Sequence, residues 1–542
     1  MAHEDVPVLV VGAGYAGLSA ALMLAWRGVP VILVERHRGT SIQPKAFGVG
    51  PRALELMRGV PGIEAELDGI SHGISDTMRI AIARTLSDPE PKIILDSTGD
   101  GMEALALATP VPQVGAPQSE VERVLRAKAE ELGADLRFAT ELNSLEQDPD
   151  GVTAVVTDAA GSYTIRAQYV VAADGHHSPI RTMLGIPTGG KGRLSTICSI
   201  MFDADLSELV RHREVTLWYL QNAGFTGVII TGTGVGAHVL GVYYDPADPP
   251  QFTESHCRDL VRQAVNLPGL DVTIYDTVGF DFAHVLAETY RDGRVFLAGD
   301  AAHTMPPTGG QGGSTALQDG CDVAWRLWLV VTGQASPAFL DTYDAERRPI
   351  GTLTADDHLA NLAVRMPPEQ TQDFPKPMDN PFSVILGYRY ASTAILPKTP
   401  AGPGRSPAES ASTGTSALLE DPLTAKALPG SRAPHVTLDW EGHPISTLDL
   451  FGAGFVLLAD PQGVAWLDAA RTARERLGVL ITAHRIGAEL KDPTGDWRRR
   501  YAVQEGGAVL IRPDGYVAWH SSTLPADPTH ALQEALRQIL SR

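Results

Sequence analysis

Residues Val8 to Val11 are apolar without interruption, the pattern of a strand covered on both faces of a parallel sheet. Pro7 stands at its start, where a missing N–H is tolerated. The turn Gly12-Ala13-Gly14-Tyr15-Ala16-Gly17 follows, then a helical pattern from Leu18 to Arg27. A second apolar strand, Val29 to Val34, ends in Glu35-Arg36. Strand, glycine turn, helix and strand make a βαβ unit. Helices are predicted over 51–68 and 117–133, and strands over 152–174, ending in the turn Asp174-Gly175.

Residues 190–285 change texture. Alternating runs such as STICSIMFDADL, EVTLWYL and AHVLGVYYD predict an antiparallel sheet. The first texture returns at 294–313, RVFLAGDAAHTMPPTGGQGG. There the apolar run Val295 to Leu297 breaks at Gly299-Asp300, and a proline loop leads into Gly309, Gly310, Gly312 and Gly313. Helices are predicted over 315–333 and 338–366. Residues 397–432 are rich in Pro, Gly, Ser and Thr and read as a linker or extended loop. A smaller α/β unit follows, with strands at 454–458 and 478–482, a helix at 465–476 and a hairpin-like stretch at 506–521.

At 542 residues the chain is long enough for three to four domains of roughly 100–200 residues. With 44% hydrophobic and 20% charged residues it can build a large core without staples. The net charge is −20, from 44 Lys and Arg against 64 Asp and Glu. That balance argues against nucleic acid or an acidic membrane as a partner, because both need clustered Lys and Arg. Three cysteines without a CxxC pair suggest a reducing cytoplasm, and no metal-ligand spacing stands out. The N-terminus, with His3, Glu4 and Asp5, lacks a basic signal-peptide region. No segment reaches the roughly 18 apolar residues of a membrane span.

The glycine turn carries the first chemistry. Gly12, Gly14 and Gly17 follow a strand and open a helix, and Glu35 stands 18 residues on, at the end of the next strand. This is the required context for a dinucleotide: a tight turn, close approach to a pyrophosphate, and an acid for a ribose hydroxyl. Glu35 would repel a 2′-phosphate, so FAD or NAD fits better than NADP. Asp174-Gly175 is a second acidic turn, with Ser178 and Arg181 behind it. At the third site, Asp300 suits ribitol hydroxyls, and the helix N-terminus after Gly312 and Gly313 suits negative charge on a flavin ring. His303 reads as structural, with a catalytic base as the alternative.

In this order and spacing the motifs resemble those of the flavin-dependent aromatic hydroxylases, and most nearly the bacterial polyketide hydroxylases. LQDGCDVAWRL at 317–327 and LDTYDAERRP at 340–349 match as well, so the resemblance spans essentially the whole chain. It implies an α/β fold: a Rossmann-like FAD-binding domain at 1–185 and 286–396, and an inserted antiparallel-sheet substrate domain at 186–285. Beyond the linker it implies a thioredoxin-like domain at 433–542 without CxxC. It implies further that Gly12, Gly14, Ala16, Gly17, Glu35 and Arg36 hold the ADP half of FAD. Gln118 would meet the ribityl–pyrophosphate region, and Asp174 would serve both FAD and NADPH. Gly299 and Asp300 would hold the ribityl chain, with Pro307, Gly310, Gly312 and Gly313 beside the flavin ring. Two departures stand near that ring: Lys45, a candidate cofactor-binding and catalytic residue, replaces an arginine common in the family, and Ser314 replaces an asparagine. Arg389, in Tyr388-Arg389-Tyr390, is a candidate to orient a substrate oxygen, and Trp218 and Tyr219 are candidates to line the pocket; for each, a packing role stays open.

The expected activity is monooxygenation of a polycyclic aromatic polyketide with FAD, NADPH or NADH, and molecular oxygen. Hydroxylation through a C4a-(hydro)peroxyflavin is the first reading. Baeyer–Villiger or ring-cleaving oxygenation by the same cofactor, and an inactive flavin-binding module, are the alternatives. The oligomeric state is left open.

Overall fold

A computed structural model describes residues 3–40, 46–71, 79–96, 105–210, 217–222, 224, 226–231, 237–365, 371–378, 380–397 and 418–542. The apolar runs read from the sequence form adjacent strands of one sheet, in the order Val295–Leu297, Gly161–Ala172, His3–Val11, Val31–Glu35, and a strand not read from the sequence, Asp135–Phe138, follows at the edge; all are parallel. The hairpin Arg291–Asp292 closes one end. Glu141–Asp148 and Gly151–Asp158 extend Gly161–Ala172 as an antiparallel flap. Two helices, Tyr15–Trp26 and Gly312–Val331, pack across one another. Their crossing depends on Gly320, where a Cβ would stand 2.1 Å from Ser19 Oγ and 2.2 Å from the Ala16 carbonyl oxygen. The single helix predicted over 51–68 is two, Pro51–Met57 and Ile63–Asp68, parted at Pro61-Gly62.

The second sheet is largely antiparallel, built around the long ribbon of Thr188–Asp203 and Thr273–Ala287. The helix Glu254–Val265 covers one face through Cys257, Leu260 and Val261. This sheet also takes in Arg79–Ala83 and Lys92–Asp96, since Arg79–Ala83 pairs in parallel with Leu217–Gln221. Those strands fall inside the range expected for the FAD-binding domain. The run Arg79-Ile80-Ala81-Ile82-Ala83 is too short to announce which sheet it joins. At the far edge, His303–Thr304 pairs with Val285 and Leu286, so the chain leaving the Gly299-Asp300 turn becomes a strand of the second sheet.

The C-terminal unit has the order strand, helix, strand, hairpin, helix. Its mixed sheet runs Ile481–Arg485, Phe455–Ala459, Ala508–Ile511, Val517–Ser521. The helices Ala465–Leu477 and Pro528–Ile539 pack on it. This is the thioredoxin-like arrangement, and it is docked through buried charge. Arg512 donates from both terminal nitrogens to Glu346 at 2.7 Å, and its Nε donates to Asp514 at 3.1 Å. Glu346 lies on the helix Asp341–Ala363 and also pairs with Arg326, and all four side chains are buried.

Candidate active site

Parallel pairing sets the chemistry-bearing turns in one row. Val11 pairs with Val34 and with Ala172, and Ala172 pairs with Leu297. Four neighbouring strands therefore end level, and Gly12, Glu35, Asp174 and Gly299 leave the sheet from the same edge. Ligands of open α/β sheets bind at the carboxyl ends of their strands.

Local contacts hold each turn. A Cβ on Gly17 would stand 1.8 Å from the Gly12 carbonyl oxygen, and one on Gly12 (φ +104°) 2.2 Å from that of Ala173. Gly14, the N-cap of Tyr15–Trp26, instead faces open space. Such a helix start accommodates phosphate through its free N–H groups and dipole. Glu35 is fixed by two backbone donors, Ala13 N at 2.8 Å and His37 N at 2.9 Å. The Asp174 carboxylate accepts from Ser178 Oγ at 2.7 Å and from Ile180 N at 2.9 Å. Burial raises its pKa against those hydrogen bonds. Arg181, one turn on, donates to the Ala301 carbonyl at 2.7 Å and so fastens this turn to the next.

The Gly299-Asp300 turn hangs on a residue that the sequence reading did not single out. Asp319 Oδ2 accepts from Gly299 N at 2.9 Å and meets His303 Nε2 at 2.6 Å, while Oδ1 accepts from Arg347 Nε at 2.7 Å. Burial alone would raise the Asp319 carboxyl, but Arg347 and His303 hold it below its ordinary value. His303 has the structural place expected of it.

His358, also missed, pins the proline–glycine loop. Its Nδ1 donates to the Pro306 carbonyl at 2.5 Å, its Nε2 accepts from Gln311 N at 3.2 Å, and its own carbonyl accepts from Thr308 Oγ1 at 2.6 Å. This pattern requires a neutral ring. Burial, reinforced by the positive field of His303 and Arg365, pushes its pKa down to about 4. As the pH falls below the ordinary 6.5, the unfolded chain takes up this proton first. His358 therefore subtracts no stability above pH 6.5 and removes about 3 kcal/mol as the pH falls to about 4. Urea melts of wild type and His358→Gln across that range should show a shallower acid decline in the variant; parallel declines would refute the assignment.

These turns enclose a cavity of about 1120 Å³ whose lining also includes Leu217, Tyr219, Ile230 and Val278 of the second sheet. That exceeds the roughly 300–1,000 Å³ of an ordinary small-molecule site. Every cofactor residue expected from the sequence lines it except Gly17, which packs helix against strand, and Lys45, which lies outside the described residues. The substrate candidates divide. Tyr219 lines the cavity, but Trp218 is fully buried in the core on the other face, because successive strand residues point to opposite sides. Arg389 does not face the cavity: it lies 3.8 Å from the Glu420 carboxylate and donates to the Pro429 carbonyl at 3.3 Å. Ser314 turns away as well, accepting from Gly50 N at 2.8 Å and tying the 46–50 segment to the helix start.

A model of FAD-binding domains matches residues 5–357, and one of the C-terminal part of aromatic-ring hydroxylases matches residues 426–542. The chain belongs to the FAD-dependent aromatic-ring hydroxylases. Aklavinone 12-hydroxylase RdmE of Streptomyces purpurascens is 38% identical over 551 residues, covering 100% of both chains. A 4-methyl-5-nitrocatechol 5-monooxygenase of a Burkholderia species is 38% identical over 550 residues, covering 99% of this chain and 98% of the relative. The crystal structure of aklavinone-11 hydroxylase with FAD and aklavinone superposes with a TM-score of 0.90 at 38% identity, covering 100% of each chain.

This aromatic-ring hydroxylase is accordingly a flavin-dependent monooxygenase, with FAD as cofactor and O2 and a reduced nicotinamide as co-substrates. The residues fit that cofactor. Gly14 leaves room beside a helix N-terminus. The Tyr15 hydroxyl, at the cavity wall, is buried without a hydrogen-bond partner among the described residues. Among the described residues no helix is long and apolar enough to cross a membrane.

Proposed function

We propose that the protein hydroxylates a polycyclic aromatic polyketide in the biosynthesis of an antibiotic. The supporting observation is the shared cavity: one wall is the level row of turns at Gly12, Asp174 and Gly299, the other a face of the second sheet that is largely apolar and also carries Tyr219, Thr231 and Asp276. A dinucleotide alone does not need the second wall. Ile80, Leu217, Ile230 and Val278 give that wall the surface a flat, fused-ring molecule requires. The names of aklavinone 12-hydroxylase and aklavinone-11 hydroxylase agree with such a substrate.

FAD, when bound, supplies the activation of oxygen. Gly12, Gly14, Ala16, Glu35 and Arg36 would hold its ADP half and Gln118 the pyrophosphate side. Asp300 would hold the ribityl chain, with Pro307, Gly310, Gly312 and Gly313 beside the ring. The protein's own work is positional. His358 and Asp319 fix the loop and turn that face the ring system, and Tyr219 and its apolar neighbours orient the substrate.

The test is oxidation of NADPH by the FAD-loaded protein against a panel of anthracyclinone and angucyclinone precursors, run under 18O2. Hydroxylation predicts faster oxidation with one scaffold and one labelled oxygen in a new hydroxyl group. A labelled lactone would overturn hydroxylation, and no response to any fused-ring scaffold would overturn the substrate class.

A further inference from the structure

The C-terminal unit sends one hairpin turn into the rest of the molecule, and that turn carries a buried ring. Residues 512–516 join the strands Ala508–Ile511 and Val517–Ser521. Gly515, at φ +79°, permits the turn, and Arg512 N donates to the Tyr516 carbonyl at 2.8 Å. The Tyr516 side chain is fully buried, but not in the core of its own unit. It belongs to a separate cluster with Tyr388, Tyr390, and Ile350 and Leu353 of the helix Asp341–Ala363.

Two lines of contact leave that side chain. The first starts at its hydroxyl, which donates to the Tyr388 carbonyl at 3.2 Å. Tyr388 stands two residues beyond the helix Pro381–Leu386, whose Pro381, Val384 and Ile385 line the cavity. The exit of that helix is also held from the linker: the Gly387 carbonyl accepts from Glu420 N at 2.8 Å, and a Cβ on Gly387 would stand 2.0 Å from the Glu420 carbonyl oxygen. The second line starts at the ring face. Tyr390 stacks on it, with centroids 4.2 Å apart and planes at 29°. The Tyr390 hydroxyl accepts from Arg347 Nη1 at 3.0 Å, and Arg347 Nε donates to Asp319, the carboxylate that holds Gly299. One residue of the C-terminal unit thus stands behind both a wall of the cavity and the Gly299-Asp300 turn.

We propose that Tyr516 is a positioning residue of the active site, and that such positioning is the work of the C-terminal unit. Its hydroxyl sets the helix Pro381–Leu386 against the aromatic substrate, and its ring sets the Gly299-Asp300 turn against FAD. The role toward the substrate rests on the polycyclic-aromatic reading of the cavity; the role toward FAD does not. The unit contains no cysteine, so its contribution is geometric rather than dithiol chemistry. Supports of this kind matter because a displacement of about 1 Å at a site can cost about 100-fold in rate.

Tyr516→Phe keeps the ring and removes the hydroxyl, whereas Tyr516→Leu removes both. Three measurements on the full chain separate them. These are FAD affinity by fluorescence titration of the FAD-free protein, hydrogen exchange of the 381–388 backbone by mass spectrometry, and binding of quinizarin (1,4-dihydroxyanthraquinone) to the FAD-loaded protein. Tyr516→Phe should quicken exchange in 381–388 and weaken quinizarin about 3- to 10-fold, the range of one lost hydrogen bond, at unchanged FAD affinity. Tyr516→Leu should in addition weaken FAD about 3- to 10-fold, the range of a lost aromatic pair. Val509→Ala, in the separate core of the C-terminal unit, lowers stability but should change none of the three. Wild-type exchange or quinizarin affinity in Tyr516→Phe, wild-type FAD affinity in Tyr516→Leu, or equal changes in Val509→Ala would overturn the role of Tyr516. Failure of quinizarin to bind wild type would overturn the polycyclic-aromatic reading alone, and exchange and FAD affinity would still decide on Tyr516.

Discussion

Arg512→Ala is expected to cost about 3–5 kcal/mol of stability and to loosen the C-terminal domain from the rest of the chain. Arg512 is fully buried and faces two carboxylates, Glu346 on the FAD-binding side and Asp514 on its own. Alanine would leave both in a low-dielectric interior, with Arg326 and the Ser392 hydroxyl as the remaining partners of Glu346. Removing one member of a buried cluster is worse than removing the cluster, because the orphaned charge keeps its desolvation penalty. The double variant Arg512→Met, Glu346→Leu should therefore be more stable than Arg512→Ala despite carrying more changes. Urea melts and limited proteolysis of the joint between the domains give the comparison. A double variant less stable than the single one would show that the cluster contributes net stability rather than a matched pair of penalties.

Gly17→Ala should weaken FAD binding about 10- to 100-fold, the range expected for overpacking by about 1–3 kcal/mol. The new Cβ would meet the Gly12 carbonyl oxygen at 1.8 Å, so helix and turn must separate. Gly320→Ala should act in the same direction from the opposite helix, through Ser19 and Ala16. Gly14→Ala separates geometry from occupancy. Nothing stands within 4 Å of a Cβ there, so the FAD-free protein should melt as wild type does while FAD binds more weakly. Flavin fluorescence titration and thermal melts of the FAD-free proteins are the measurements. Wild-type FAD affinity in Gly17→Ala would remove the turn from the site.

Much of the parallel sheet, the second sheet and the C-terminal α/β unit was legible because strands such as Val8–Val11, Val295–Leu297 and Phe455–Leu458 carry their own apolar runs and the turns at Gly12 and Gly299 their own glycines. What escaped depends on partners far apart in the chain. Asp319 matters for its hydrogen bond to Gly299, and His358 for contacts with Pro306 and Gln311, some fifty residues before it. Neither has a local pattern that distinguishes it from an ordinary polar residue on a helix. The pairing of Trp218 and Tyr219 shows the same limit: alternation places them on opposite faces, but only the helix Glu254–Val265 decides which face is core. Arg389 could not be excluded from sequence, since what holds it away from the cavity is Glu420, some thirty residues on.

The strand His303–Thr304 has one neighbour in each half of the molecule. Its backbone pairs with Val285 and Leu286 of the second sheet, while the His303 ring is held by the carboxylate that holds Gly299. A ligand that presses on the sheet and one that tightens the turn thus act on the same short strand. Whatever factor the aromatic compound imposes on flavin affinity, the flavin must impose on the affinity for the aromatic compound, because coupling between two binding equilibria is reciprocal.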